Sequence, residues 1–279
     1  MTHFKITTVL LAISAALSAC GGGGSSTEDN QQITSVTVRA LAYSRQAVLF
    51  VSGTYLRADM TAATGVCKDP VFNMAQSTPQ LAVLNCTVTA TGEQPLSITG
   101  TNGRVLYTGT VTVPQPQVEL VTSQGNVVLE LNPAAAPVSV NNFLTYANNG
   151  FYTNTLFHRV ITGFVVQGGG YTNGLVKKAG QLAPIVLESN NGLSNTRGTL
   201  AMARTNVPNS ATSEFFVNLV DNQSLNYQSP ANPGYAVFGK VVNGLDVIDK
   251  IAALPTASAN GFADVPVTDV TLQLALQIK

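Results

Sequence analysis

The sequence predicts a mainly β protein with two domains, one over residues 33–114 and the other over residues 115–279. Runs of alternating apolar and polar residues recur along the chain and are separated by turn residues such as Ser52-Gly53 and Asn102-Gly103. Only two segments, near residues 140 and 248, have the apolar spacing of an amphipathic helix. Pro114-Gln115-Pro116 interrupts the pattern, and we place the domain boundary there.

Composition excludes several classes of function. The 279 residues include 14 Lys and Arg and 14 Asp and Glu, so the formal net charge is zero and no basic surface for nucleic acid is expected. Hydrophobic residues make up 45% of the chain, which is enough to build a core. His158 is the one histidine outside the leader described next, so a multi-histidine zinc site is excluded. We expect no metal and no cofactor.

The first 19 residues are typical of an export signal. Lys5 precedes an apolar run, Ile6–Leu17, that is shorter than the roughly 20 residues needed to span a bilayer. The run leads into Leu17-Ser18-Ala19-Cys20, which resembles the bacterial lipobox, so Cys20 is expected to be lipidated and to become the first residue of the mature chain. The alternative is an ordinary signal peptide with a cysteine there by chance.

Residues 20–32 predict a lipidated cysteine followed by a flexible tether. The stretch is rich in Gly, Ser, Asn and Gln and has no periodicity. Gly21, rather than Asp, follows the cysteine. By resemblance to enterobacterial sorting, this favours an outer-membrane lipoprotein that faces the periplasm of a Gram-negative bacterium. We expect a monomer that contacts the membrane only through its lipid.

The two remaining cysteines, Cys67 and Cys86, predict a disulfide. An exported chain folds in an oxidising compartment, where an even pair of cysteines most often forms a bridge. Closing a loop of about 20 residues contributes about 3 kcal/mol in the chain-entropy account. The alternative is two buried free thiols.

Residues 33–114 predict a small β-sandwich. Alternating patterns predict strands at residues 36–40, 47–51, 81–88 and 105–113, and no segment has a helical period. Short strands at this spacing are typical of a β-sandwich, and we predict one of the immunoglobulin-like type. The chain contains no Trp, so the Cys–Trp–Cys signature of true immunoglobulin domains is absent. Nothing here indicates a reaction, and we interpret the domain as a spacer or binding module.

The second domain begins with a hairpin and contains both helices. Residues 118–122 and 127–131 are predicted to pair as strands. Pro137 is expected to open a helix, which the turn residues Asn149-Gly150 end. Leu245, Ile248 and Ile251 mark a second helix that stops before Pro255.

Four motifs then identify a family. They are Phe157–Gly169 (FHRVITGFVVQGG), Arg197–Ala203 (RGTLAMA), Ser210–Phe216 (SATSEFF) and Tyr235–Val241 (YAVFGKV). In this order and spacing they resemble the cyclophilin-type peptidyl-prolyl cis-trans isomerases, and the match runs from Gln117 to about Lys279. The resemblance implies a closed, eight-stranded antiparallel barrel with a helix covering each end, and a substrate groove on its outer wall. The details look most like the bacterial periplasmic branch.

The resemblance also implies a set of site residues. Arg159 matches the arginine that stabilises the twisted amide, and Gln167 matches the glutamine that orients it. A further eight positions match the substrate-binding groove, either as the apolar proline pocket, as the strip that pairs with the peptide backbone, or at the groove edge: Phe164, Val165, Ala203, Arg204, Glu214, Phe216, Leu225 and Tyr235. Strand alternation is expected to turn His158 away from the groove if Arg159 faces it.

Two positions depart from the family pattern. Ser224 stands where well-studied members have Trp or Phe, an aromatic that closes one side of the groove and contacts cyclosporin. Glu214 stands where the family usually has Gln, and its carboxylate could compete for Arg159 or Arg204. Gly168-Gly169-Gly170 does not complete a dinucleotide-binding motif, because Asn173 occupies the position of the third glycine.

We therefore expect a peptidyl-prolyl cis-trans isomerase (EC 5.2.1.8) that acts without a cofactor on proline-containing peptides or unfolded exported proteins. The alternative is a non-catalytic module or chaperone that binds proline segments on the same fold. The Arg159–Gln167 pair favours the enzyme, whereas Glu214 and Ser224 favour the binding module. A third possibility is that the N-terminal domain docks partners and uses the barrel as an accessory.

Overall fold

The computed structural model describes residues 30–57, 60–100 and 102–279, which belong to two compact units divided between Pro114 and Gln115. The predicted export signal, Cys20 and nearly all of the tether lie outside the described residues. Within the described part of the chain, no helix is long and apolar enough to cross a bilayer.

The N-terminal unit is a β-sandwich. Its strands form two antiparallel sheets, with orders β1-β2-β5-β4 and β3-β6-β7. Leu49 and Leu84 of one sheet and Leu96 and Ile98 of the other belong to one buried apolar cluster. The strands are β1 Gln32–Arg39, β2 Gln46–Thr54, β3 Thr61–Thr64, β4 Cys67–Phe72, β5 Leu81–Val88, β6 Gly92–Thr99 and β7 Val105–Val113.

The strand order of the sandwich can be compared with that of immunoglobulin domains. Lettered in chain order, the two sheets are A-B-E-D and C-F-G, which are the sheets of the constant-type immunoglobulin sandwich. Antibody domains bridge their two sheets through a B–F disulfide, whereas the bridge here lies within one sheet. The immunoglobulin-like assignment stays a prediction.

The predicted disulfide is present between Cys67 of β4 and Cys86 of β5, with Cα atoms 5.5 Å apart. This separation is ordinary for a disulfide. Both residues are buried in the apolar cluster of the sandwich. The alternative of two free thiols is therefore wrong.

The C-terminal unit is built on one antiparallel sheet of nine strands, in the order β10-β20-β8-β9-β17-β15-β16-β12-β11. Two short hairpins, β13-β14 and β18-β19, lie outside it. The elements are β8 Gln117–Thr122, β9 Gly125–Leu131, α1 Pro137–Asn148, β10 Thr155–Leu156, β11 Arg159–Ile161, β12 Val165–Gly168, β13 Tyr171–Thr172, β14 Val176–Lys177, β15 Thr199–Met202, β16 Phe215–Asn218, β17 Val237–Asn243, α2 Leu245–Ala252, β18 Thr256–Ala259, β19 Phe262–Pro266 and β20 Thr271–Gln277.

The two edges of the sheet lie close together where the chain passes from one to the other. Its edge strands, β10 and β11, are consecutive in the chain and are separated only by Phe157 and His158. Three steps of about 3.8 Å therefore join Leu156 to Arg159, so the edges cannot be far apart. If β10 and β11 are counted as one interrupted strand, the sheet has the eight strands expected of the barrel.

Both helices are where the apolar spacing predicts them. In α1, Val140, Phe143, Leu144 and Ala147 are all buried, and the helix packs against β17 and β20. Pro137 occupies the first turn, where its missing N–H costs nothing. In α2, the buried face includes Ile248 and Ile251 and packs against β9, β11 and β12.

Candidate active site

Arg159 and Gln167 face each other across the hairpin formed by β11 and β12. They are register partners, so their side chains lie on the same face of the sheet. Nη1 of Arg159 donates a hydrogen bond to Oε1 of Gln167 at 3.5 Å. In the hairpin turn, Gly163 has a φ of 72°, and Thr162 donates from its hydroxyl to the Ala252 carbonyl at the end of α2 (2.8 Å). The helix thus anchors the hairpin that carries the arginine.

Glu214 lies behind Gln167 and does not pair with either groove arginine. Nε2 of Gln167 donates to Oε2 of Glu214 at 2.9 Å, and Nε2 of His158 lies 3.4 Å from the same oxygen. Among the described residues, no carboxylate lies within 4.0 Å of Arg159 or Arg204. The expected competition of Glu214 for these guanidinium groups is therefore wrong, because the amide of Gln167 stands between Glu214 and Arg159. Glu214 instead fixes the amide so that its oxygen faces Arg159.

The surroundings of Glu214 keep it ionised. Burial raises the pKa of Glu214, but the hydrogen bond and charge interaction with His158, the hydrogen bond from Gln167 and the charge of Lys177 outweigh it. The pKa of Glu214 is therefore below its ordinary value. Burial and the nearby carboxylate raise the pKa of Tyr171.

His158 is buried next to Glu214. Its side chain is 3% exposed, and its ring lies 4.7 Å from that of Tyr171 and 6.2 Å from that of Phe262, measured between centroids. Arg159, the next residue, is only partly buried. The two side chains thus differ in exposure as strand alternation suggests, and His158 contributes through Glu214.

The three glycines after Gln167 allow close packing. A Cβ on Gly170 would lie 2.5 Å from Cγ of Glu214, and one on Gly168 would lie 2.8 Å from the Leu156 carbonyl oxygen. Gly169 has a φ of 88°, which L-residues rarely adopt. Gly170 is therefore required by the close approach of Glu214, Gly168 by the close approach of Leu156, and Gly169 by its backbone conformation.

Apolar side chains at the predicted proline pocket form one cluster beside Gln167, and this cluster is called the pocket below. Six of the predicted substrate-binding residues belong to it: Phe164, Val165, Ala203, Phe216, Leu225 and Tyr235. Phe216, which is 4% exposed, packs edge-on against Tyr235 with ring centroids 5.6 Å apart. Phe216 is the register partner of Gln167, so the pocket lies beside Arg159 on neighbouring strands. Ala201, Val237 and Leu193 complete the cluster and were not predicted.

The predicted peptide strip is partly occupied by the protein itself. The N–H of Ala203 donates to the Glu214 carbonyl at 3.0 Å. An extended peptide could therefore pair at Ala203 only by donating an N–H to the Ala203 carbonyl. Arg204 donates to the carbonyls of Gly234 and Thr205 and stacks on Tyr235. Ser224 is exposed in the short 3-10 turn Gln223–Leu225.

Three buried asparagines, Asn195, Asn218 and Asn222, support the walls of the pocket. Asn222 donates to the Phe164 carbonyl at 3.0 Å and to Oδ1 of Asn218 at 2.8 Å. Asn218 donates to Oδ1 of Asn195, and Asn195 donates to the carbonyls of Leu225 (3.0 Å) and Tyr235 (3.3 Å). The triad thus holds the backbone of three pocket residues. No sequence pattern indicates this triad, since asparagine next to the end of a strand is usually interpreted as a turn residue.

The family of the chain follows from comparison of its sequence. The sequence model of the cyclophilin-type peptidyl-prolyl cis-trans isomerase/CLD family matches residues 117–274, more than half of the chain. The chain belongs to the cyclophilin family. Cyclophilins named as peptidyl-prolyl cis-trans isomerases are identical to this chain at about half of the aligned positions.

Three of these relatives are bacterial. The Acinetobacter baylyi isomerase is 51% identical over 162 residues, which are 58% of this chain and 85% of the relative. The Streptomyces antibioticus isomerase is 52% identical over 160 residues, covering 57% of this chain and 96% of the relative. Isomerase B of Escherichia coli is 51% identical over 154 residues, covering 54% and 93% of the two chains.

We predict that Glu214→Gln leaves the activity of the cyclophilin domain within about twofold of the original, because an amide oxygen can still accept from Gln167. Glu214→Ala should lower kcat/KM several-fold, since it leaves the Gln167 amide and the buried His158 without this partner, a defect of about 1–3 kcal/mol. Steady-state kinetics of both variants check this. An increase in kcat for Glu214→Gln would indicate that the carboxylate competes for Arg159 after all.

The lowered pKa of Glu214 also predicts that the free energy of unfolding decreases at acidic pH. Since the folded-state pKa of Glu214 is depressed, its ionised form stabilises the fold above the ordinary value of 4.5, and this contribution is lost as the pH falls through the folded-state pKa. Chemical unfolding at a series of pH values below 4.5 should therefore show a weaker acid dependence for Glu214→Gln. Parallel curves for the two proteins would contradict this expectation.

We predict that Asn222→Asp raises KM more than it lowers kcat. The substitution keeps the shape but replaces donors with a buried acceptor that faces the Phe164 carbonyl, so the pocket wall should loosen. Thr122→Val is the matched control, since it removes a buried hydroxyl that donates to the Gly125 carbonyl between β8 and β9. Kinetics below the unfolding temperature of both variants check this, and equal changes in the two would indicate a purely structural role.

Proposed function

We propose that the cyclophilin domain catalyses cis–trans rotation of X-Pro bonds in exported proteins, without a cofactor. The observation that carries this proposal is a guanidinium that Gln167 orients and that lies beside a cluster of apolar side chains, which a proline ring could contact. The curated names of relatives that align over 85–96% of their length support the same activity.

The chemistry needs neither a nucleophile nor a metal. Rotation about the amide has a barrier of about 18–20 kcal/mol, because conjugation gives the C–N bond double-bond character. In the twisted state this conjugation is lost and the prolyl nitrogen becomes a better acceptor. Arg159 can donate to this nitrogen or anchor the carbonyl while the pocket holds the ring. Interactions that strengthen only in the twisted state lower the barrier.

The pocket residues supply binding affinity for the substrate in its ground state, and Arg159 supplies the interaction that strengthens when the amide twists. The ring would contact Phe216, Phe164 and Leu225, which are apolar and do not distinguish the twisted amide from the planar one. Gln167 and Glu214 keep the guanidinium in place at little entropic cost when the substrate binds. This division predicts separate effects on KM and on kcat.

The test is an isomerisation assay of the protein with a proline-containing peptide. Exchange spectroscopy measures the rate of cis–trans interconversion directly, so no protease is needed. Acceleration above the uncatalysed rate supports the enzyme. Peptide binding without acceleration would favour the alternative, a proline-binding module or chaperone on the same fold. Exposed Ser224, in place of an aromatic, also predicts weak binding of cyclosporin.

We also propose that the chain is a monomeric lipoprotein of the outer membrane, with the N-terminal sandwich as a spacer or binding module between the lipid and the cyclophilin domain. The lipobox Leu17–Cys20 and the Gly/Ser tether support this placement. We expect the intact mass of membrane-extracted protein to correspond to an acylated chain that starts at Cys20. A soluble product that is cleaved elsewhere would contradict lipidation.

A further inference from the structure

The guanidinium of Arg204 is held in one position at the rim of the pocket. Nε and Nη2 donate to the Gly234 carbonyl at 2.9 and 2.8 Å, and Nη1 donates to the Thr205 carbonyl at 2.8 Å. Its Cζ lies 4.6 Å from the centroid of the Tyr235 ring, which packs edge-on against Phe216. The planar group is therefore fixed against a wall of the pocket.

The conformation of Gly234 makes this arrangement possible. Its φ is 62°, and a Cβ there would lie 2.5 Å from the carbonyl oxygens of Leu225 and Asn226. Only glycine fits at this position without displacing the backbone that carries Leu225. The acceptor that fixes Arg204 thus belongs to the same loop as the pocket.

The charge of Arg204 is not balanced by a neighbouring carboxylate. Its acceptors are two neutral carbonyls, and no carboxylate among the described residues lies within 4.0 Å. The side chain of Glu214 is engaged by Gln167 and His158. A guanidinium has five N–H groups, so three bonds leave two N–H groups, one on each terminal nitrogen. Each of these N–H groups can donate a charge-assisted hydrogen bond to a carboxylate oxygen.

We propose that Arg204 is a specificity-determining residue that makes the site prefer proline segments with an Asp or Glu side chain close to the proline. The proposal rests on the proposed function, since it assumes that the pocket takes a proline ring. Stacking and three hydrogen bonds have already removed the rotational freedom of the guanidinium, so little entropy is lost when a carboxylate binds. Partial burial beside Tyr235 also limits screening by salt.

The test compares pairs of peptides that differ only by Glu or Gln, placed immediately before the proline, immediately after it, or one residue further on. kcat/KM is measured by exchange spectroscopy and Kd by calorimetry, at low and at high salt. We expect the Glu peptide to be preferred about threefold or more at one of these positions at least, with a smaller ratio at high salt. In Arg204→Gln, which can still donate to Gly234, the Glu-to-Gln ratio should fall to about one.

The ratio separates specificity from stability, because a structural defect lowers the values for both peptides alike. Arg39→Gln in the sandwich domain is the control for the loss of one positive charge, and the ratio there should be unchanged. A ratio of one at every position in the original protein overturns the proposal while the proposed activity stands. If neither peptide is isomerised, the proposed function fails, and the calorimetric ratio alone then decides whether Arg204 selects carboxylates.

Discussion

Replacing Arg159 with alanine is expected to lower kcat/KM for a prolyl peptide by at least tenfold, which corresponds to about 1.4 kcal/mol of transition-state stabilisation. The reason is that Arg159 is the charged donor held by Gln167 beside the pocket, and no carboxylate among the described residues neutralises it. Peptide affinity should fall much less, since Phe216 and its neighbours form the apolar contacts. Kinetics and calorimetry on the same preparation check both parts.

Two further variants separate the geometry of Arg159 from its charge. Arg159→Lys should not restore activity, because an ammonium lacks the planar fork that Gln167 orients and the substrate would use. Arg39→Ala in the sandwich domain removes an arginine that stacks on Phe50 and should leave activity unchanged. Full activity of Arg159→Ala would exclude the electrostatic role.

The parts of the site that could be predicted lie in contiguous motifs. Phe157–Gly169 places Arg159 and Gln167 on two paired strands, and a short turn fixes their register, so neighbours in sequence become neighbours in space. The pocket residues Val165 and Phe216 could be predicted in the same way, because they lie on the paired strands β12 and β16 within two of these motifs. Ala201 of β15 could have been found as well, because it lies two positions before Ala203, which directly follows the strand, and side chains two positions apart in extended chain share a face.

The roles of Glu214 and Arg204 could not be predicted, because each depends on contacts with distant parts of the chain: Glu214 with Gln167 and His158, and Arg204 with the Gly234 carbonyl and the Tyr235 ring. The sequence suggests that a carboxylate near two arginines pairs with one of them. In the structure the amide of Gln167 intervenes on one side, and on the other Arg204 is turned toward Gly234. The asparagine triad could not be predicted for the same reason. The three partners of the Asn195 side chain, Asn218, Leu225 and Tyr235, lie 23 residues or more from it along the chain.

In the sandwich domain, the alternating strands were predictable and the polar ones were not. Strands β2, β5 and β7 contain the apolar residues that signal a strand, whereas β6 begins with Gly92-Glu93-Gln94-Pro95, a sequence typical of a turn. This segment becomes a strand because β7 pairs with it along its whole length, while β3 pairs with the residues that follow it, Leu96–Thr99, of which Leu96 and Ile98 are buried. Tertiary context overrides the local preference.

Loss of the disulfide is expected to have the largest effect on stability, about 3 kcal/mol for the sandwich domain. Cys67 and Cys86 are 19 residues apart and close a loop that includes most of β4 and β5, so reduction frees this segment in the unfolded chain. For a domain of this size, the loss corresponds to a fall in Tm of more than about 10 °C. Calorimetric unfolding of the oxidised protein, and of protein reduced and alkylated under denaturing conditions, measures it.

The cyclophilin domain provides an internal control in the same experiment. Its compact unit begins at Gln115 and contains Arg159 and the pocket, so its own transition and its isomerase activity should not change on reduction. The double variant Cys67→Ala/Cys86→Ala should resemble the reduced protein and should not respond to reductant. A common shift of both transitions would indicate that the two units unfold together, and an unchanged sandwich transition would show that the bridge contributes no stability.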